Sequence, residues 1–304
     1  MSTTSGTNGV FVAGNSGQVA RSLKEAAANA GIPLITAGRP EFDLTDPVSM
    51  RVMIDTCKPT AIINAAAYTA VDAAEDDEEN ANAINGAGPG ALAAIAAEGC
   101  IPFIHLSTDY VFPGTKSNPY TETDPVGPTG AYGRSKLLGE RAVIAANPEA
   151  IILRTAWVYS PYGKNFLKTM LSLAGRETLS VVADQQGNPT YAPDIADALL
   201  SLAGQLNGKT PTIAQAGIYH MTGGGETTWH EFASAIFKEG SHYGLHKPVL
   251  NAVTTADYPT LARRPANSRL NCDKLKQNFG ISLPDWRKST AACVKRLSEM
   301  GELG

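Results

Sequence analysis

Val10-Phe11-Val12-Ala13-Gly14-Asn15-Ser16-Gly17-Gln18-Val19-Ala20 opens the ordered part of the chain. Its first four residues are apolar without alternation, as in a strand covered on both faces. Gly14 and Gly17 follow at once. From Gly17 to Ala30, apolar residues recur at Val19, Leu23 and Ala27, which is one face of a helix. Strand, glycine turn and helix in this order form a phosphate-binding turn. Glycine lets the backbone bend sharply and approach a pyrophosphate, and the helix N-terminus presents free N–H groups and a positive dipole end. Gly14, Gly17, Gln18 and Val19 are therefore candidate dinucleotide contacts. Ala20 stands where a third glycine is usual and is small enough for close helix–sheet packing.

The same alternation continues outward. Strands are expected at 33–37, 61–65, 101–106 and 151–155, and helices at 47–57, 71–98 and 131–146. In the helix at 47–57, Val48, Val52 and Ile54 are expected inward, and the helix at 71–98 is expected to break at 86–90. A βαβα series demands a parallel sheet, because parallel neighbours need helical crossovers. Beyond residue 160 proline and glycine punctuate the pattern, with helices at 165–174, 194–206 and 229–237. The expected class is α/β: a Rossmann-type doubly wound parallel sheet with a smaller, loop-rich α/β lobe. The division is a disordered tail at 1–8, a dinucleotide-binding domain at 9–160 and a mainly substrate-binding lobe at 161–304. Segments of that lobe are expected to return to the sheet domain.

The 304 residues are 43% hydrophobic and 18% charged, which excludes wholesale disorder. A formal net charge of −4 disfavours nucleic acid as a partner. No apolar run reaches the ~18 residues of a membrane span, and the first nine residues lack the regions of a secretion signal. A soluble cytoplasmic protein is expected. Cys57, Cys100, Cys272 and Cys293 lie far apart; reduced, buried thiols are expected rather than a zinc site or disulfides.

Tyr132-Gly133-Arg134-Ser135-Lys136 carries the sharpest chemistry. Residues four apart share a helix face, and an ammonium beside a phenol favours phenolate, lowering its pKa from about 10. Such a tyrosine exchanges protons with a carbonyl or alcohol near neutral pH. Ser107-Thr108-Asp109-Tyr110 ends the fourth strand, where ligands bind in open α/β sheets. Thr108 is thus placed to hydrogen-bond a reacting oxygen, and Asp109 to bind substrate or stabilise the turn. After strand two, the acid usual for NAD is replaced by Gly38-Arg39. Arg39 suits a 2′-phosphate, so NADPH is favoured with NADH possible. Asp43 and Leu44 flank an adenine, unless Asp43 only caps a turn. His220 reads as a packed strand-end histidine, and residues 75–79 as a solvated acidic helix face.

These motifs, together with Asn64-Ala65-Ala66-Ala67-Tyr68-Thr69-Ala70-Val71-Asp72 and the stretches 153–159, 165–170, 184–190 and 262–270, resemble the extended short-chain dehydrogenase/reductases. Within them they resemble the dTDP-4-dehydrorhamnose reductase family. The resemblance implies NAD(P)H-dependent reduction of dTDP-4-dehydro-β-L-rhamnose to dTDP-β-L-rhamnose, the last step of dTDP-L-rhamnose biosynthesis. It implies cofactor contacts at Gly17, Gln18, Val19, Asp43, Leu44, Ala66, Ala67, Tyr68, Thr69, Tyr132 and Lys136. It implies substrate contacts at Thr108, Asp109, Tyr132 and Trp157, and Arg263 with Arg264 suit the diphosphate because a guanidinium binds oxygens bidentately. Catalysis falls to Tyr132, Lys136 and Thr108. Some members join subunits through glutamates and magnesium; Ser22 stands at one such position, so no metal and a monomer or weak homodimer are expected. The alternatives are another nucleotide-sugar 4-ketoreductase and a non-catalytic NADP-binding subunit of the same fold. A 4,6-dehydratase would read Thr-Asp-Glu, where this chain has Tyr110 after Asp109.

Overall fold

The structure, a computed structural model, describes residues 8–303. The expected tail at 1–8 therefore lies outside the described residues except for Asn8. Six strands form one sheet: β1 (Val10–Ala13), β2 (Leu34–Ala37), β3 (Ala61–Asn64), β4 (Phe103–Thr108), β5 (Ile151–Thr155) and β6 (Gly217–His220). Their order is β6-β5-β4-β3-β1-β2, and every pairing is parallel. The order reverses between β1 and β3, the switch point at whose carboxyl end ligands bind in such sheets.

Both faces of the sheet are covered, which is why its strands read as continuous apolar runs. Val10 and Val12 pack on Leu23 and Ala27 of α1 (Gln18–Ala30) and on Ile195 and Leu199 of a helix at Ala192–Leu206. Phe11 and Ala13 face the other way, onto Met50 and Ile54 of α2 (Pro47–Cys57) and Leu92 and Ala96 of α3 (Gly88–Glu98). Helix α4 (Ala131–Ala146) packs beside α3. The chain after residue 160 thus supplies both the sixth strand and a covering helix. The remainder builds its own core around Tyr159, Phe232, Ile236, Trp286 and Leu297. It also carries a two-stranded parallel pair, Thr178–Val182 with Val249–Val253.

Three expectations about this framework need correcting. In α2, Val48 and Val52 are 71% and 61% exposed, while Met50 and Ile54 are buried. At about 100° per residue, Val52 and Ile54 point to opposite sides, so the three could never share a face. Residues 86–90 do not break a helix. A π-helical turn at Ala83–Ala87 runs straight into α3, and glycine there serves close packing: a Cβ on Gly88 would lie 2.5 Å from Leu44 O. The four cysteines are free, yet only Cys293 is buried and Cys100 is exposed. Among the described residues, no helix is long and apolar enough to cross a membrane.

Candidate active site

The turn after β1 is shaped by Gly14, whose φ of 118° disfavours any side chain and whose Cβ would crowd Ala66 N at 3.3 Å. Asn15, Ser16 and Gly17 are exposed, and no side chain caps α1. The leading N–H groups of α1 are thus available to an anion, and the cradle fits a dinucleotide's pyrophosphate. Arg39 is exposed just past β2. A second cation on this rim escaped the sequence reading: Lys24 Nζ reaches Asn15 Oδ1, to which Thr36 Oγ1 also donates. Gln18 also has a second task, because its Oε1 accepts from Ser160 Oγ at 2.8 Å and Asn165 Nδ2 at 3.0 Å and ties α1 to the second lobe.

Asp43 Oδ1 accepts from the backbone N–H and hydroxyl of Thr45, both at 2.8 Å. These bonds hold its carboxyl below the usual value, so the side chain caps a turn and Leu44 beside it is buried. Beyond β3, Ala66, Ala67 and Tyr68 are partly buried and Thr69 is exposed. Their loop is gripped by Asn85, fully buried in the π-helical turn. Its Oδ1 accepts from Tyr68 N at 2.8 Å, and its Nδ2 donates to Tyr68 O and to Ser135 Oγ, both at 3.0 Å.

Thr108 is the last residue of β4 and starts a short turn. Its hydroxyl donates to Asp109 Oδ1 at 3.1 Å and accepts from Tyr110 N at 3.2 Å. Tyr132 is the second residue of α4, its ring edge-on to Tyr110 with centroids 5.6 Å apart. This approach requires Gly133, where a Cβ would lie 2.3 Å from Tyr110 O. The N-terminus of α4 is capped from a distance: Ala131 N donates to Glu75 Oε1 at 2.9 Å. Glu78 pairs with Arg134 at 2.8 Å. The acidic run is therefore not merely a solvated face.

Burial pushes the Tyr132 phenol above its ordinary value, with Thr108 acting against it and Asp109 and Tyr110 adding to it. The lowering expected from Lys136 is not found, because Nζ is committed elsewhere. It donates to Leu106 O at 2.7 Å and lies 3.5 Å from His105 Nε2. Burial brings Lys136 down to about 8, opposed by Glu140. Glu140 itself is closed in a buried fork with Arg154 of β5, at 2.8 and 2.6 Å, and accepts from Ser107 Oγ at 2.6 Å. Asp109 is buried, which raises its carboxyl to about 6 against hydrogen bonds from Ser268 and Thr108. Its Oδ2 has no partner in the protein.

A cavity of about 450 Å³ opens beside this cluster, lined by Tyr110, Trp157, Phe166, Gln185, Trp229, Arg264 and Ser268 among others. Trp157 sits in the left-handed region at φ 47°. Its indole lies on Gly187, where a Cβ would come within 2.3 Å of it. No motif marks its neighbour Trp229, which stacks on it and donates from Nε1 to Gln185 Oε1 at 3.1 Å. The basic pair divides. Arg264 lines the cavity, bonded to Asp72 Oδ2 at 2.6 Å and to Tyr110 OH at 3.2 Å, whereas Arg263 is exposed and does not line it. His220 is fully buried and bonds Asn271 O at 3.1 Å, as expected of a packed residue. Ser22 is buried too, its hydroxyl donating to Gln18 O at 2.8 Å.

Comparison with known proteins agrees along the whole chain. A family model described as the RmlD substrate binding domain matches residues 8–299. A dTDP-4-dehydrorhamnose reductase of Sinorhizobium fredii is 48% identical, covering 93% of this chain and 95% of the relative. The crystal structure of a dTDP-4-dehydrorhamnose reductase from Clostridium acetobutylicum superimposes with a TM-score of 0.87 at 34% identity, covering 95% of this chain and 99% of that one. The Bacillus anthracis dTDP-4-dehydrorhamnose reductase in complex with NADP gives 0.86 at 31% identity, covering 94% and 98%. With its turn, its Tyr132–Lys136 helix and its end-to-end likeness to these enzymes, this chain belongs to the dTDP-4-dehydrorhamnose reductase family.

Proposed function

We propose that this chain reduces dTDP-4-dehydro-β-L-rhamnose to dTDP-β-L-rhamnose with NADPH, acting in the cytoplasm as a monomer or weak homodimer. The observation that carries the reading is that Tyr132, at the start of α4, lies on the Thr108–Tyr110 turn at the carboxyl end of β4, with Lys136 one turn further along α4 and bonded to Leu106 O of the same strand. Four free cysteines suit a reducing compartment, and the burial of Ser22 leaves nothing at that position to bridge a metal.

The dinucleotide, when bound, supplies the hydride that reaches the sugar's C4. Gly14, Gly17 and the first turn of α1 hold its pyrophosphate, with Val19, Asp43, Leu44 and residues 66–69 along the crevice and Arg39 toward the 2′-phosphate. Lys136, anchored on Leu106 O, holds the nicotinamide ribose. The Thr108 hydroxyl turns from Asp109 toward the carbonyl oxygen and stabilises the charge developing there. Tyr132 gives its proton to that oxygen. A phenol raised by burial is a weak acid, so it holds its proton until hydride arrival makes the carbonyl oxygen strongly basic. Asp109 orders a sugar hydroxyl through the Oδ1 that Thr108 releases, its Oδ2 being buried. Trp157 lies against the apolar face of the deoxysugar, and Arg264 shares its fork between Asp72 and the diphosphate.

The test is oxidation of NADPH on mixing with dTDP-4-dehydro-β-L-rhamnose, with the product identified. Stoichiometric oxidation and a rhamnosyl product are expected. Tight NADPH binding without oxidation would instead mark a non-catalytic subunit.

A further inference from the structure

His105 lies in the middle of β4, fully buried, flanked by Ile104 and Leu106. Its Nδ1 is 3.1 Å from Nδ2 of Asn64, the last residue of β3, and its Nε2 is 3.5 Å from Lys136 Nζ. Asn64 is also fully buried, and its Oδ1 accepts from Ala66 N at 3.2 Å. A backbone N–H can only donate, so that bond fixes which end of the amide is oxygen. The NH₂ end then faces the imidazole and can only donate to Nδ1. Nδ1 is thereby an acceptor, and the proton of the neutral ring stands on Nε2, directed at Lys136.

We propose that Asn64 and His105 are a positioning pair for Lys136, holding an imidazole N–H against its nitrogen so that the amine form is stabilised as well as the ammonium. The ammonium has a strong acceptor in Leu106 O at 2.7 Å. The His105 N–H presents its positive end to that ammonium and disfavours it, whereas the amine's lone pair accepts from the same N–H. Lys136 therefore releases and regains a proton within the working pH range, one helical turn from the tyrosine that must be reprotonated after each turnover.

Burial is the first cause that favours the amine, and a phenylalanine at 105 would keep it; the other ionisable groups around this site do not add to it. Tyr132 and Glu140 share the helix with Lys136; Glu140, already paired with Arg154 of β5, favours the ammonium. Asp109 lies past the end of β4 and is engaged with Thr108 and Ser268. Glu75 and Glu78 serve Ala131 N and Arg134 at the start of α4. His105 is itself kept neutral, first by burial and then by Lys136.

The kinetic arm of the test rests on the ketoreductase reading; the spectroscopic arm does not. In ¹⁵N NMR of the unmodified protein, the His105 ring should show an unprotonated Nδ1 and a protonated Nε2 around neutral pH. The opposite tautomer, or an imidazolium, overturns the proposal. In His105→Phe the N–H is gone and the ammonium is favoured, so the alkaline limb of kcat against pH should move up by about one unit. A folded His105→Phe protein with an unmoved limb overturns it. A protein that shows the predicted tautomer but no ketoreduction contradicts the functional reading and leaves the positioning pair standing.

Discussion

The indoles of Trp157 and Trp229 stack with centroids 3.5 Å apart and planes 9° from parallel. Trp157 comes from the segment just after β5, and Trp229 opens the helix Trp229–Ser241 of the second lobe. The stack therefore joins the carboxyl end of β5 to the lobe and makes one wall of the cavity.

Removing half of that wall should weaken binding more than chemistry. Aromatic pairs are worth about 0.5–1.5 kcal/mol beyond their buried area, so Trp229→Ala should raise KM for the nucleotide sugar roughly tenfold while kcat changes by a few-fold at most. Steady-state kinetics checks this. An unchanged KM would remove the stack from the substrate site.

Tyr132→Phe deletes the proton donor and keeps the ring against Tyr110. A loss in kcat of about 10²–10⁴-fold is expected, the usual worth of a general acid, with an unchanged circular dichroism spectrum. Near-normal turnover would require another donor.

Asp109 gives a stability prediction with a definite sign. Its folded value is raised by burial from 3.8 to about 6, so between those values the native state holds a proton that the unfolded chain has lost. Stability should therefore fall as pH rises from about 4 to 6 and stay lowered above. Asp109→Asn abolishes that loss. It should be more stable than the parent near pH 7 by about 2–3 kcal/mol and equal to it near pH 4, while binding the nucleotide sugar less well. Urea denaturation at the two pH values measures it.

The rim beyond β2 predicts coenzyme choice. It carries Gly38 and Arg39 in place of an acid, with Lys24 close by. NADPH should give the higher kcat/KM, and Arg39→Ala should erode the preference. A parent protein that favours NADH would contradict the assignment.

Much of the fold was legible because the sheet is covered on both faces, so β1 to β5 appear as mainly apolar runs without polar alternation. β6 was legible only as the strand end at His220, because Gly217–His220 lies in a glycine- and proline-rich stretch and joins the sheet by pairing with β5, far away in sequence. The glycine turn and the Tyr132–Lys136 spacing were legible because both are local geometry. What Lys136 touches was not: Leu106 O and His105 reach it only through the packing of α4 on β4. Arg263 and Arg264 read alike as a basic pair, and only Asp72, nearly two hundred residues earlier, separates their roles.

NADPH deuterated at the nicotinamide C4 position, turned over with dTDP-4-dehydro-β-L-rhamnose, follows the transferred hydride itself. The expected product is dTDP-β-L-rhamnose carrying one deuterium at sugar C4, formed in step with coenzyme oxidation and severely slowed in Tyr132→Phe. A product labelled elsewhere, or no oxidation of the coenzyme while both ligands bind, would contradict it.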